Sequence, residues 1–340
     1  MRLSILDHSP VDDGCTPGDA LWASTRLAQT AEAAGYERYW VAEHHQSDVQ
    51  ASSHPELLMM QIAAHTQTIR VGSGGIMLPH YSAYKVAETA RVLEALYPGR
   101  IDLGVGRAPG ADQRVNQALN DEKAHALPFS TKLRDLKHYL VDEGDQMGRP
   151  VNAIHAAPRI STVPQFHVLG ASGSTAELAA SEGLGFTFAH FINPQHHQGI
   201  RGAAHYREHF TPSTLHTQPS VIVAVFAVVA ETFEEAQTLA VSFDEWLLRA
   251  ESMTPPKALM PPQTINPARY SSEERARIEF NRNRVVVGDA YSAIEQLARL
   301  ATDYQTDQIM IIPMIPGEQN RQRAIELLGA ANIAFSTSNT

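Results

Sequence analysis

Short apolar runs without a helical period alternate along the chain with segments whose apolar residues recur every three or four positions. The short runs are rich in β-branched and aromatic residues, which favour strands. In the first third of the chain, strand and helix signals repeat at about 30 residues, which is typical of parallel strands joined by helices. The eight predicted strands are Leu3–Leu6, Tyr39–Val41, Ile69–Gly75, Ile101–Gly104, Phe166–Leu169, Gly185–Ala189, Val221–Val229 and Gln308–Pro313.

Helical spacing follows most of these strands. Thr16 at the N-cap and Pro17 after it predict the start of the first helix, and Gly35 predicts its end. Eight strand signals with helices between them fit a (β/α)8 TIM barrel of the α/β class better than an open sheet. The predicted helices are Pro17–Ala34, Leu57–Thr66, Tyr84–Leu96, Ser130–Glu143, Ser174–Glu182, Gln195–His209, Phe233–Arg249, Tyr291–Ala301 and Asn320–Ala330.

Two stretches interrupt this alternation, one after the fourth predicted strand and one after the seventh. Residues 108–164 contain one helix signal and no clear strand, so we interpret them as an insertion. Residues 250–283 contain five prolines and cannot form long regular elements, so they are either an active-site lid or a disordered surface excursion. We therefore expect a single barrel domain over residues 1–340 with two insertions, the second serving as the lid.

The polar triplet Glu43, His44 and His45 follows the second predicted strand directly. In a parallel α/β fold, chemistry is located at the carboxyl ends of the strands. A lone histidine there is more often a solvated or capping residue. Two adjacent histidines after a glutamate favour a functional site.

Glycine-rich segments follow the third, fourth and fifth predicted strands. Gly104–Gly110 matches a dinucleotide-binding loop poorly. The segment presents Arg107, and an arginine at this position suits a phosphate or carboxylate ligand. The alternative is that Arg107 forms an ordinary ion pair at the surface. Leu169–Thr175 combines small residues, three hydroxyls and a helix start, which is typical of a phosphate site, although Ser174 or Thr175 would also serve as a plain N-cap. Three glycines in Gly72–Gly75 indicate a close bend or a planar ring against the backbone.

Composition restricts the classes of partner. The 340 residues carry a formal net charge of −10 with no basic block, so we expect no nucleic-acid partner. No apolar run is long enough to span a membrane and the N-terminus does not fit a signal peptide, so we expect a soluble, cytoplasmic protein. Cys15 is the only cysteine, which excludes an intrachain disulfide or a cysteine-based metal cluster.

The order and spacing of these motifs resemble the bacterial luciferase-like family of flavin-dependent oxidoreductases and monooxygenases. The resemblance extends over nearly the whole chain and implies a (β/α)8 barrel that binds FMN, or F420 in some branches, at its C-terminal mouth. It implies a non-prolyl cis peptide at Gly74–Gly75 and a phosphate held by Arg107 and the Ser172–Thr175 segment. The implied catalytic residues are Glu43, His44 and Asp112. The implied cofactor contacts are His45, Gly74, Gly75, Met77, Arg107, Gly170, Ala171, Ser172, Gly173, Ser174 and Thr175.

The resemblance also implies a reaction. Reduced FMN from a separate flavin reductase would react with O2 to form a C4a-peroxyflavin in a dry cavity, and this species would oxidise a small organic substrate. His44 would move the proton and Asp112 would orient groups at the mouth. Gly106 stands where the luciferases commonly have a cysteine, which argues against assuming light emission. A homodimer is also implied by the family, and no metal is expected.

Three alternatives stay open. An F420-dependent oxidoreductase of the same fold is hard to separate from an FMN enzyme by sequence. A non-catalytic flavin-binding subunit is a second alternative, against which the Glu43–His45 triplet argues. The third is a metallohydrolase, because His205–His209 has the HxxEH spacing of a zinc site, although 16 histidines make a chance match easy.

Overall fold

The computed structural model of the chain describes residues 1–107, 113–120, 127–141, 154–193, 195–252 and 255–338. Within these residues, parallel strands close into a barrel in the order β1-β2-β3-β5-β6-β7-β8-β10 and back to β1. This confirms the predicted (β/α)8 barrel. The strands are β1 Arg2–Asp7, β2 Arg38–Val41, β3 Arg70–Ser73, β4 Ile76–Met77, β5 Ile101–Gly106, β6 Gln165–Gly170, β7 Gly185–Ala189, β8 Val221–Ala230, β9 Val285–Asp289 and β10 Gln308–Ile312.

Helices surround the barrel in the described residues. They bury apolar faces against the strands. The predicted helix start at Thr16 is confirmed by a capping box, in which the Thr16 and Asp19 side chains each accept a hydrogen bond from the other residue's backbone N–H. The helices are α1 Pro17–Ala33, α2 Pro55–His65, α3 Ala83–Leu96, α4 Gln113–Asn120, α5 Phe129–Val141, α6 Gly173–Glu182, α7 His196–Glu208, α8 Phe233–Ala250, α9 Ser272–Asn281, α10 Ala290–Asp303 and α11 Glu318–Ser338. Among the described residues, no helix is long and apolar enough to cross a membrane.

The strand predicted at Ile69–Gly75 is in fact interrupted. Strand β3 ends at Ser73, the peptide bond between Gly74 and Gly75 is cis, and β4 then pairs with the far end of β5. The cis bond is the one that the family resemblance implied. Gly74 and Gly75, at the interruption, line a cavity at the mouth of the barrel.

In the described part of the chain, strand β8 has three partners, β7, β9 and β10, which sequence periodicity did not reveal. All of its residues from Val221 to Ala230 are buried, as expected for a parallel strand covered on both faces. Its first half pairs with β10 and closes the barrel, whereas its second half pairs with β9. The sequence interpretation missed β9, which among the described strands pairs only with β8 and lies outside the barrel order.

The two predicted insertions contain more regular structure than expected. The described part of 108–164 includes α4 as well as the predicted α5. The described part of 250–283 contains α9, which begins with a capping box at Ser271, and ion pairs from Arg277 and Arg284 to Glu251 join it to the end of α8. The backbone of Leu259 also bonds to the loop after β1. These residues form a helix and packed contacts, and their role as a lid stays a prediction.

Candidate active site

A cavity of about 570 Å³ opens at the carboxyl ends of the barrel strands. Cofactor and small-molecule sites span roughly 300–1,000 Å³, and active sites of (β/α)8 enzymes lie at this end. Among the predicted site residues, the structure brings to its wall Glu43, His44, Gly74, Gly75, Met77, Arg107, Gly170, Ala171, Ser172 and Thr175. The residues that also line it and were missed from sequence are His8, Ala42, Gly106, Leu169, Ala189, Phe191, Ile192 and Asn193.

Glu43 is held by three protein groups. Its carboxylate accepts a 2.9 Å hydrogen bond from the Met77 N–H and a 2.7 Å bond from the Tyr81 hydroxyl, and it lies 2.7 Å from His45 Nε2. Glu43 is only 1% exposed. Burial, and then the bond to Glu43, raise the pKa of Tyr81, so its O–H remains a donor. These contacts fasten the end of β2 to β4 and to the turn after it.

His44 lies beside Glu43 but has a different environment. Its ring lines the cavity, and its Nδ1 atom is buried with no hydrogen-bond partner among the described residues. Burial, helped by the neighbouring His8 and His45, lowers the pKa of His44 to about 3. His44 is therefore a neutral imidazole near pH 7, with a ring nitrogen that no described protein group occupies. His45 does not line the cavity and instead pairs with Glu43.

The Gly74–Gly75 backbone forms one wall, and both positions require glycine for close approach. A Cβ on Gly75 would lie 2.8 Å from the carbonyl oxygen of Gly104, and a Cβ on Gly74 would overlap the side chain of Leu6. A wall without side chains is suited to contact with a flat ligand.

The segment between β6 and α6 has the features of a phosphate site. Ser172 is the N-cap of α6, yet its side chain does not cap the helix and instead contacts the hydroxyls of Ser174 at 3.0 Å and Thr175 at 3.2 Å. The first N–H groups of a helix point outward and favour an anion. Gly173 and Ser174, which are not among the cavity-lining residues, belong to this first turn of α6. Arg107 is exposed at the end of β5, on the strand next to β6.

Asp112 lies outside the described residues. His205 and His209 of the HxxEH pattern stack on each other with ring centroids 4.1 Å apart, and Tyr206 between them is buried. In the described ranges, no cluster of three or more His, Cys, Asp or Glu side chains is arranged to hold a metal ion.

His8 and Asn193 are the missed polar residues with a recognisable sequence signal. Each follows a strand within four residues of its end, the position that singled out Glu43 and His44. Tyr81 was also missed, because its contact with Glu43 depends on the turn after β4.

The fold and the cavity define a (β/α)8-barrel protein with an anion-suited site at its C-terminal mouth. The family model for luciferase-like monooxygenases matches residues 1–304 of the chain. Two Bacillus subtilis (strain 168) proteins are similar over their full length: "Uncharacterized protein YwcH" is 45% identical over 332 residues, covering 97% of this chain and 99% of that protein, and N-acetyl-S-alkylcysteine monooxygenase is 37% identical over 349 residues, covering 98% and 99%. The crystal structure of apo-MsnO8 is 36% identical with a TM-score of 0.85 and covers 98% of each chain. The chain therefore belongs to the luciferase-like monooxygenase family of oxidoreductases.

More distant structures share the fold and bind flavin-type cofactors. The oxygenating constituent of 3,6-diketocamphane monooxygenase from Pseudomonas putida, in complex with FMN, has a TM-score of 0.70 at 16% identity and covers 97% of each chain. An F420-dependent secondary alcohol dehydrogenase, in complex with an F420-acetone adduct, has a TM-score of 0.66 at 15% identity and covers 97% of this chain and 98% of its own. Proteins of this fold thus bind FMN or F420.

Proposed function

We propose that this protein is a two-component monooxygenase that uses reduced FMN, supplied by a separate flavin reductase, and O2 to oxidise a small organic substrate. One observation is the main support: a single cavity combines a hydroxyl-rich helix start with a wall of bare glycine backbone. The first suits a phosphate and the second suits a flat ring. FMN has both parts in one molecule.

The described residues fit FMN at both ends. Ser172, Thr175 and the first N–H groups of α6 would hold the phosphate, with Arg107 adding positive charge. Gly74 and Gly75 would contact the ring. Bound reduced FMN would supply the electrons with which O2 is activated.

The protein side chains would divide the remaining work. His44 would hold or move a proton through its unoccupied Nδ1. Glu43 already accepts from Met77 and Tyr81 and contacts His45, so we assign it a positioning role that fixes the end of β2. Apolar wall residues, Phe191 among them, would exclude water, which limits wasteful release of hydrogen peroxide.

An anaerobic titration tests the cofactor assignment. The protein is titrated separately with FMN, reduced FMN and F420, and flavin fluorescence or absorbance gives each Kd. We expect reduced FMN to bind more tightly than F420, and rapid mixing of the loaded protein with oxygenated buffer to give flavin reoxidation slower than that of free reduced FMN. Tight binding of F420 alone would replace the monooxygenase proposal with F420-dependent oxidation, and binding of flavin without any reaction would favour a non-catalytic subunit.

A pair of glycine variants, one at the helix start and one on α7, tests the phosphate site. A Cβ on Gly170 would lie 2.5 Å from Thr175 Oγ1 and 2.7 Å from Thr175 Cγ2, so Gly170→Ala should displace Thr175 and weaken FMN binding about tenfold, equal to roughly 1.4 kcal/mol. Gly202→Ala on α7 is the control, since its Cβ would meet only the Ala176 Cβ at 3.9 Å, an ordinary contact, and Gly202 is not among the cavity-lining residues. Fluorescence titration of both variants measures the change. Equal FMN affinity in the two variants would contradict a phosphate site at this segment.

We also propose that the protein forms a homodimer through apolar residues exposed on α2 and α3. Leu57 and Met60 on α2 are 69% and 48% exposed, and Val92 and Leu96 on the adjacent α3 are 47% and 52% exposed. Exposed apolar groups on neighbouring helices are typical of interaction surfaces. A second copy of the chain is the occupant expected from the family resemblance.

Sedimentation measures the dimer directly. The wild-type protein should sediment at twice the monomer mass of 37.3 kDa. The double variant Leu57→Glu, Met60→Glu should dissociate to monomers, because burying two unpaired charges in an interface is unfavourable. Ile333→Glu is the control, since Ile333 is 63% exposed on α11 and should leave the mass unchanged. A monomeric wild-type protein would contradict the proposal.

A further inference from the structure

His8 occupies the side of the cavity opposite the proposed phosphate site. It follows β1 directly, is 5% exposed and lines the cavity. In the closed barrel order, β1 and β6 are separated by four steps in either direction. A ligand whose phosphate is held at the Gly170–Thr175 segment therefore leaves His8 at the far wall, away from its phosphate.

A chain of hydrogen bonds sets which nitrogen of His8 carries the proton. The Ser47 hydroxyl donates to Gln50 Oε1 at 3.2 Å, and the Gln50 amide nitrogen faces His8 Nδ1, 3.1 Å away. Because an amide nitrogen donates, His8 Nδ1 accepts and Nε2 carries the hydrogen. His8 is thus a hydrogen-bond donor through Nε2–H.

The surroundings of His8 select against a charged ligand. The His8 ring lies 4.9 Å from the His44 ring, and Phe191 and Phe226 stand edge-on at 5.9 and 6.1 Å. Burial lowers the pKa of His8 to about 4, so both imidazoles are neutral near pH 7. The carboxylate of Glu43 is already used by other groups. An ion bound here would lose its hydration without gaining an opposite charge.

We propose that His8 is a substrate-contact residue, which donates its Nε2–H to an oxygen acceptor of an uncharged organic substrate held beside His44. This inference rests on the proposed function, which makes the cavity the site of oxidation. His8 then selects for a neutral molecule with a carbonyl-type oxygen, and Gln50 acts as the positioning residue that keeps the donor aimed by fixing the tautomer.

Binding of a matched pair of probes tests the inference. Acetophenone and ethylbenzene differ in that a carbonyl replaces a CH2 group, and their Kd values are measured by calorimetry on the apoprotein and on the protein loaded with oxidised FMN. The variants are His8→Phe, which removes the donor, and His8→Gln, which retains an N–H donor. The infrared carbonyl stretch of bound acetophenone reports directly on the hydrogen bond.

Wild-type protein should bind acetophenone about 3- to 10-fold more tightly than ethylbenzene, the range of one neutral hydrogen bond. His8→Phe should remove this preference by weakening acetophenone alone and should raise the carbonyl frequency, whereas His8→Gln should restore most of both. FMN affinity should be unchanged in both variants. Binding of neither probe to wild-type protein, or the same ratio in wild type and His8→Phe, would overturn the inference. If FMN did not bind but the apoprotein still preferred acetophenone to ethylbenzene in a His8-dependent way, the result would contradict the proposed function and leave the inference about His8 standing.

Discussion

The variant His44→Ala is expected to lose roughly 100- to 10,000-fold in single-turnover oxygenation, the usual contribution of a positioned proton-transfer group. His44 lines the cavity, and its buried Nδ1 has no partner in the described residues. Burial lowers its pKa to about 3, so near pH 7 the imidazole is neutral and has one nitrogen that accepts and one that donates a hydrogen bond. The loss should appear in the rate, while the Kd for FMN should change by less than about threefold, since the phosphate site on β6 and α6 is untouched.

In the measurement, protein loaded with reduced FMN is mixed with oxygenated buffer that contains a substrate oxidised by the wild-type protein. The amounts of product and of hydrogen peroxide are recorded over time. His44→Gln should recover part of the rate because it restores a hydrogen-bonding group. His209→Ala is the control for a histidine outside the cavity, at the end of α7. Loss of FMN binding with full turnover at saturating flavin would show that His44 has another role.

The variant Gly104→Ala is expected to lose about 3 kcal/mol of unfolding free energy, at the upper end of the usual cost of overpacking. Gly104 lies in the middle of β5, where a Cβ would overlap the carbonyl oxygen of Ser73. The Ser73 hydroxyl donates to the Gly104 carbonyl at 2.8 Å and accepts the Gly104 N–H at 3.1 Å. The Leu169 side chain, whose Cδ1 would lie 2.8 Å from the new Cβ, is able to rotate aside, but the Ser73 backbone is not, so the barrel wall itself must shift.

Denaturant unfolding measures this change in unfolding free energy, with the same m-value, the dependence of that free energy on denaturant concentration, for wild type and variants. Gly106→Ala is the matched control two residues along the same strand, because its Cβ would lie 3.5 Å from Met77 Sδ, an ordinary contact. The control should stay within about 1 kcal/mol of wild type. Equal stability of the two variants would mean that Ser73 and Gly104 are not packed as described.

The sequence located much of the cavity wall because strand ends are local features. Glu43 and His44 follow a short apolar run, and the Gly170–Thr175 segment joins a strand to a helix, so neighbouring residues alone indicate both. Their chemical roles were harder to separate. Glu43 and His44 are adjacent in sequence, yet the first is fully hydrogen-bonded and the second has an unoccupied nitrogen, because alternate residues at the strand end face different neighbours.

Periodicity and strand-ending signals therefore determined the barrel class, the order of its main strands and the location of the site at the mouth. All three conclusions could be drawn from sequence because such signals depend on the side-chain pattern along a few consecutive residues. Tertiary structure alone decided the rest. Pairing of β8 with both β9 and β10, the contact of Tyr81 with Glu43 and the meeting of His8 with His44 join residues more than 30 positions apart. Such contacts are set by how the closed barrel brings strand ends together, which no local pattern encodes.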